Sequence, residues 1–173
     1  MLPTERAEQN KGLYSAQYKL SGREKPECVT ADPLSRSRTM TESTILAKYP
    51  GASRWQFGDS PALADELLQL VLDGDKTATC GSYVAYQQEK SPMVGDYNVI
   101  LNGRGEPACV IRTLSLRLTR YCDVTAEMAA LEGEGDKSLA FWREGHQAFF
   151  TREGIFSPQM WLVFEEFDLV DVF

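Results

Sequence analysis

Between Ser60 and Thr79 the chain changes its period, and this constrains the fold more than any other feature of the sequence. Leu63, Leu67, Leu70 and Val71 recur at helical spacing, and Leu68 and Leu72 widen the stripe. Asp59 or Ser60 can cap this helix, with Pro61 at its first position. Gly74 stands just past its end, where a left-handed cap needs a residue without a Cβ. From Thr77 to Val84 the pattern is strand-like. An amine and two hydroxyls, Lys76, Thr77 and Thr79, therefore sit at a helix-to-strand corner. A capped helix followed by a Thr-rich strand with an exposed Lys would show the same pattern.

The rest of the chain reads as α+β. A short helix carries Ile45, Leu46 and Tyr49 inward and stops at Pro50-Gly51. Trp55 to Asp59 reads as an aromatic turn, and Pro92 to Asp96 as another. Tyr97–Leu101 is a strand, Asn102-Gly103 a hairpin signal, and Ala108 to Leu118 a long strand. Thr119 to Val124 extends the same sheet. Thr125 caps a helix through Leu131, and a second helix runs from Ser138 to about Thr151. Leu139, Trp142, His146 and Phe149 share one of its faces. Gln159 to Val170 closes the chain as a strand. Short antiparallel strands with a few helices predict a small β-barrel flanked by helices.

Residues 1–39 differ from this pattern. They lack a sustained period and hold seven Lys/Arg against five Asp/Glu, a net of +2. Residues 40–173 hold eleven against twenty, a net of −9. The first segment reads as a disordered extension, the second as the folded domain. A body this acidic disfavours duplex DNA and long RNA, and a small substrate, or a short single strand in a local basic cleft, fits better. No apolar run reaches the roughly 20 residues a membrane helix needs. Cys28, Cys80, Cys109 and Cys122 have no paired short spacing, and there is a single His. That pattern points to free thiols in a reducing cytoplasm, with neither a metal nor a cofactor.

The candidate chemistry is a hydroxyl with a base. Thr79 is a weak nucleophile until a neighbour takes its proton. Lys76 can serve if its pKa is lowered, and Glu132 or Glu134 can orient it or protonate a leaving group. Positions three apart on a regular strand face opposite ways, so Lys76 and Thr79 converge only if the segment bends. The Gly-flanked Glu132 and Glu134 would equally suit a solvated acidic turn. His146 fits a cleft rim or a general base. Arg112 lies in an apolar strand and calls for a carboxylate such as Glu132 or Glu134, or a bound anion. Trp55 and Tyr83 can stack on a base, or simply pack in the core.

Several of these runs together resemble the ASCH domain family. They are Trp55-Gln56-Phe57-Gly58-Asp59-Ser60, Gly74-Asp75-Lys76-Thr77-Ala78-Thr79, Val94-Gly95-Asp96 and Ile111-Arg112-Thr113. Glu132-Gly133-Glu134-Gly135-Asp136 and Trp142-Arg143-Glu144-Gly145-His146 complete the set. The resemblance spans about Tyr49 to Val170 and implies a PUA-like β-barrel with a cleft for RNA or nucleosides. One branch is an amidohydrolase that removes the acetyl group of N4-acetylcytidine with a Lys, a Thr three residues on, and a Glu. Those positions are Lys76, Thr79 and the Glu132 of Ala129-Ala130-Leu131-Glu132. The chain departs from that branch at Gly81, where the branch has Arg, and in its Trp-Arg-Glu-Gly-His helix. Other members are described as ribonucleases; in an RNA-binding module of that kind Lys76, Arg112 and Arg143 would hold phosphates.

Residues 1–39 have too little apolar surface to offset the entropy of ordering. A chain beginning at Met40 should therefore melt within about 2 °C of the full chain in calorimetry. A drop of many degrees would show that the segment packs onto the domain.

Overall fold

The computed structural model describes residues 41–88 and 91–173, so the expected extension over 1–39 lies outside the described residues. Helix α1 (Glu42–Lys48) is capped by Thr41, whose side chain accepts from the Thr44 N–H, and it buries Ile45. Strand β1 (Ser53–Trp55) follows and pairs parallel with β3 (Tyr97–Leu101). The aromatic turn expected from Trp55 to Asp59 thus gives its first residue to a strand, because Trp55 sits opposite Ile100 in that pairing.

Helix α2 (Pro61–Leu72) begins as its sequence dictates. Ser60 accepts from the Leu63 N–H, and Pro61 occupies the first turn, where its missing N–H costs nothing. It buries Ala64, Leu67, Leu68 and Val71, while Leu63, Leu70 and Leu72 are only partly covered. Strand β2 (Ala78–Ser82) is shorter than expected, because Tyr83 opens helix α3 (Tyr83–Gln88). Tyr-Val-Ala-Tyr suits a strand by propensity, but Ala85 is buried as a helical contact against Tyr86 and Ile155.

Strand β4 (Pro107–Arg120) is the long element of the sheet. Its turn from β3 is held by the Asn102 side chain, which accepts from the backbone N–H groups of Arg104 and Glu106. A 3-10 turn (Tyr121–Asp123) ends β4 where the sequence suggested more sheet. Thr125 caps α4 (Ala126–Glu132), Ser138 caps α5 (Leu139–Arg152), and β5 (Trp161–Val172) closes the chain. The sheet runs β1-β3-β4-β5-β2. All pairs except β1–β3 are antiparallel. Its two edges are not joined, so the expected barrel is a curled half-barrel within an α+β fold.

Two apolar clusters flank the edge strand β2. Leu67, Leu68 and Val71 of α2 pack on Trp55, Phe57, Ile100, Ile111 and Phe167. Met128, Ala129, Trp142 and Phe150 pack on Ala78, Cys80, Leu162 and Phe164. A third cluster joins α1 to the sheet through Ile45, Tyr49, Val99, Leu101 and Val110.

One polar thread crosses this interior. The Trp55 indole N–H donates to Asn98 Oδ1 (3.1 Å), and Asn98 donates to Thr113 Oγ1 (3.3 Å). The Thr113 hydroxyl donates in turn to Glu165 Oε1 at 2.6 Å. Burial pushes the Glu165 carboxyl from its ordinary 4.5 up to about 7, since no cation among the described residues pairs with it and the Thr113 bond only partly offsets the loss of water. A carboxyl raised in the fold binds its proton more tightly there than in the unfolded chain. Stability therefore falls as pH rises from about 4.5 to about 7 and levels off above. Glu165→Gln should exceed the wild type in urea stability by about 3 kcal/mol near pH 8 and match it near pH 4. A variant less stable at both pH values would show that the carboxylate itself is needed.

Candidate functional site

The corner after α2 is set by backbone bonds. Gly74 takes φ +78°, and the N–H groups of Asp75 and Lys76 both donate to Leu70 O, at 2.9 and 3.0 Å. Thr77 then ties the corner to two neighbours. Its N–H donates to Leu131 O, and its carbonyl accepts from the Phe167 N–H, each at 2.9 Å. Since β2 begins only at Ala78, Lys76 precedes the regular strand, and the alternation of faces does not separate it from Thr79. Both residues line one cavity.

The loop after α4 is pressed against this corner. Gly133 caps α4 at φ +75°, and a Cβ there would lie 2.3 Å from Asp75 O. Only glycine allows both the left-handed backbone and the close approach. The approach brings Glu132 and Glu134 to Lys76, which is 1% exposed. Lys76 Nζ donates to Glu134 Oε1 (2.9 Å), to Glu132 Oε2 (3.4 Å) and to Glu132 O (3.3 Å). Three acceptors use all three protons of an ammonium. Burial alone would lower its pKa, but Glu134 and Glu132 together hold it above the ordinary 10.5. In the free protein Lys76 is therefore a cation without a lone pair.

Glu132 is the hub. Its Oε1 accepts from the Trp142 indole N–H at 2.7 Å. Its Oε2 faces Lys76 and lies 3.7 Å from His146 Nε2. Burial would raise this carboxyl, yet Lys76, His146 and Trp142 pull it down to about 2. His146 donates from Nδ1 to Trp142 O (2.9 Å) and stacks on the Trp142 ring at 4.1 Å and 16°. Burial lowers its pKa, and Glu132 and Glu134 more than restore it, leaving it above the ordinary 6.5. Cys80, Glu132 and His146 present donor atoms within 4.8 Å of one another. The Lys76 ammonium already answers the one carboxylate of this set, at 3.4 Å. Burial and the carboxylates also push the Cys80 thiol up, which keeps it neutral.

The cavity over this floor holds about 270 Å³, at the small end of ligand sites. Phe57, Leu63, Leu67, Phe141, Phe149 and Phe150 form its walls, and Arg152 lies at its rim, paired with Asp59 at 2.7 Å. The Phe141 ring rests on Gly135, where a Cβ would come within 2.5 Å of it. The Thr79 hydroxyl has no hydrogen-bond partner among the described residues.

Of the residues expected from sequence, Lys76, Thr79, Glu132 and His146 meet in this cavity, and four others lie elsewhere. Trp55 is 3% exposed in the α2 core. Tyr83 stacks on Tyr86 with centroids 6.3 Å apart. Arg112 needs no carboxylate mate, because it faces solvent on β4 with its guanidinium 5.7 Å from the Tyr97 ring. Arg143 is exposed on α5. The cavity's aromatics are instead phenylalanines. Phe57 stood in view beside Gly58. Phe141 and Phe150 flank the helical face already marked by Trp142, His146 and Phe149, and a wider stripe would have found them.

A curled half-barrel sheet with flanking helices and a cleft at its edge strand defines a PUA-like α+β domain. The particular family follows from an ASCH domain profile that matches residues 53–171, and the chain belongs to that family. It is similar to the ASCH domain of Lactobacillus crispatus JV V101, whose crystal structure shares 38% identity at a TM-score of 0.68, covering 76% of this chain and 87% of that one. A protein from Enterococcus faecalis V583 aligns at 34% identity and a TM-score of 0.67, covering 75% and 85%. The search of curated proteins gave no match.

Gly133 is the steric test of this arrangement. Gly133→Ala should cost at least about 2 kcal/mol in chemical denaturation, from the strained φ together with the backbone clash. A loss below about 0.5 kcal/mol would show that the loop does not need its contact with Asp75.

Proposed function

We propose that the protein is a hydrolase acting on a modified nucleoside or a similar small amide, in the manner of an N4-acetylcytidine deacetylase. One observation carries this reading. An unengaged hydroxyl, Thr79, shares a cavity of about 270 Å³ with a buried ammonium held by two carboxylates. Thr79 would attack the acyl carbon and form an acyl-enzyme that water then hydrolyses. Lys76, its protons held by Glu132 and Glu134, would stabilise the developing oxyanion through its charge, in a site where little water competes. Glu132 would hold the ammonium in place. The phenylalanine walls suit a flat ring, and the cavity is too small for more than one nucleoside.

The alternative, an RNA-binding module with ribonuclease activity, uses the same cleft. It has less support, because Arg112 and Arg143 lie outside the cavity and residues 40–173 carry a net −9.

Acetate release from N4-acetylcytidine tests the proposal. Thr79→Ala and Lys76→Met should each leave about 1% or less of wild-type kcat/KM, with the circular dichroism spectrum retained. Added salt should scarcely change KM for a neutral nucleoside, whereas RNA binding would weaken steeply. Wild-type protein that turns over no member of a panel of acylated nucleosides, yet binds short RNA with a steep salt dependence, would replace this reading with the alternative.

A further inference from the structure

We infer that His146 is the group that carries the proton during turnover in this cavity, with Lys76 remaining an ammonium throughout. The inference rests on the hydrolase reading and adds a residue to it. Cleaving an amide requires a group that accepts a proton from the nucleophile and delivers it to the departing nitrogen. Such a group needs a lone pair facing the cavity before substrate arrives. Lys76 has none, since Glu134 Oε1, Glu132 Oε2 and Glu132 O take its three protons. Both oxygens of Glu132 are committed, one to the Trp142 indole and the other to Lys76. Glu134 is engaged with Lys76, and Arg152 with Asp59. Cys80 is a neutral buried thiol. His146 remains.

Its geometry suits the role. Nδ1 is fixed as the donor to Trp142 O at 2.9 Å, so the neutral ring keeps its lone pair on Nε2. The stack on Trp142 holds the ring plane at a centroid distance of 4.1 Å. Nε2 lies 3.7 Å from Glu132 Oε2, too long for a strong hydrogen bond but close enough to stabilise an imidazolium. The ring lines the same cavity as Thr79.

The balance of the step is simple. As Thr79 Oγ bonds to the acyl carbon, its proton passes to Nε2. As the C–N bond breaks, that proton passes to the leaving amine. In the second half, water gives a proton to Nε2 while its oxygen bonds to the acyl carbon, and Thr79 recovers the proton on leaving. Amide and water become acid and amine, and no further reactant is needed.

Glu132 of α4 and Glu134 of the loop that follows act on the ring, and Lys76, Cys80 of β2 and Arg152 of its own helix are the other charged or titratable groups that line the cavity with it. The two carboxylates outweigh burial there, so the imidazolium persists above the ordinary 6.5. A base of this kind is active only once deprotonated, and the rate should rise with pH through its midpoint.

The chain has one histidine, so every imidazole signal is His146. Nitrogen-15 NMR of the wild-type protein should show a neutral form protonated at Nδ1 and one titration with a midpoint above 6.5. The pH profile of kcat/KM on N4-acetylcytidine should have its acid limb at that same midpoint. His146→Gln should abolish the limb and lower the plateau about 100-fold. Added imidazole should restore part of the activity of His146→Ala. An Nε2-protonated neutral ring would overturn the inference, even if neither variant folds. So would an acid limb that survives in His146→Gln, or activity within about threefold of wild type. These outcomes leave the hydrolase reading standing, whereas a wild-type protein with no turnover removes that reading and the inference together.

Discussion

A wholly buried ammonium sets the terms for this structure. Taking Lys76, Glu132 and part of Glu134 out of water costs several kcal/mol per ion, and good geometry only roughly recovers it. Recovery here depends on Glu132 supplying both a carboxylate and a carbonyl while Glu134 supplies the shortest contact, at 2.9 Å. That in turn depends on Gly133 allowing the α4 loop to reach the backbone of Asp75. Outside the cavity, Lys137 pairs with Asp75 at 2.8 Å and adds a solvent-screened contact across the same seam. An ion cluster of this kind is a poor source of net stability. What it provides is a polar floor whose charges are oriented before a ligand arrives.

The two buried glutamates show how far surroundings decide chemistry. Glu132 and Glu165 are 1% and 5% exposed, and each accepts a hydrogen bond from a neighbouring side chain. Glu132 has a cation and a histidine beside it and is held down to about 2. Glu165 has the Thr113 hydroxyl and the nearby Asp96, and is pushed up to about 7. One is a fixed anion that orders the cavity, and the other belongs to the internal thread that begins at Trp55. Residue type alone shows no difference between them.

Much of the fold was legible because local chemistry and tertiary context agree. Ser60, Thr125 and Ser138 cap the helices at which they stand, and a hairpin turn forms at Asn102-Gly103, although Gly105 rather than Gly103 takes the left-handed backbone. Lys76, Thr79 and Glu132 were singled out, and they do meet. Their convergence was not legible, since it depends on Lys76 preceding the strand. The misses share a cause. Tyr83 to Tyr86 has strand propensity, but packing makes it helical. Trp55 and Arg112 were read by residue type as a stacking platform and a cation seeking a mate. Their strands turn one into the core and the other toward solvent, which a period read along one segment does not reveal.

The whole arrangement depends on Lys76 being an ammonium locked between Glu132 and Glu134. Nitrogen-15 NMR of the lysine side chains tests it most directly. The Lys76 Nζ signal should have ammonium character and slow proton exchange, unchanged from neutral pH to above 10.5 and released in Glu134→Gln. A Lys76 amine that is already neutral near pH 8, or that exchanges as fast as the exposed lysines, would contradict it.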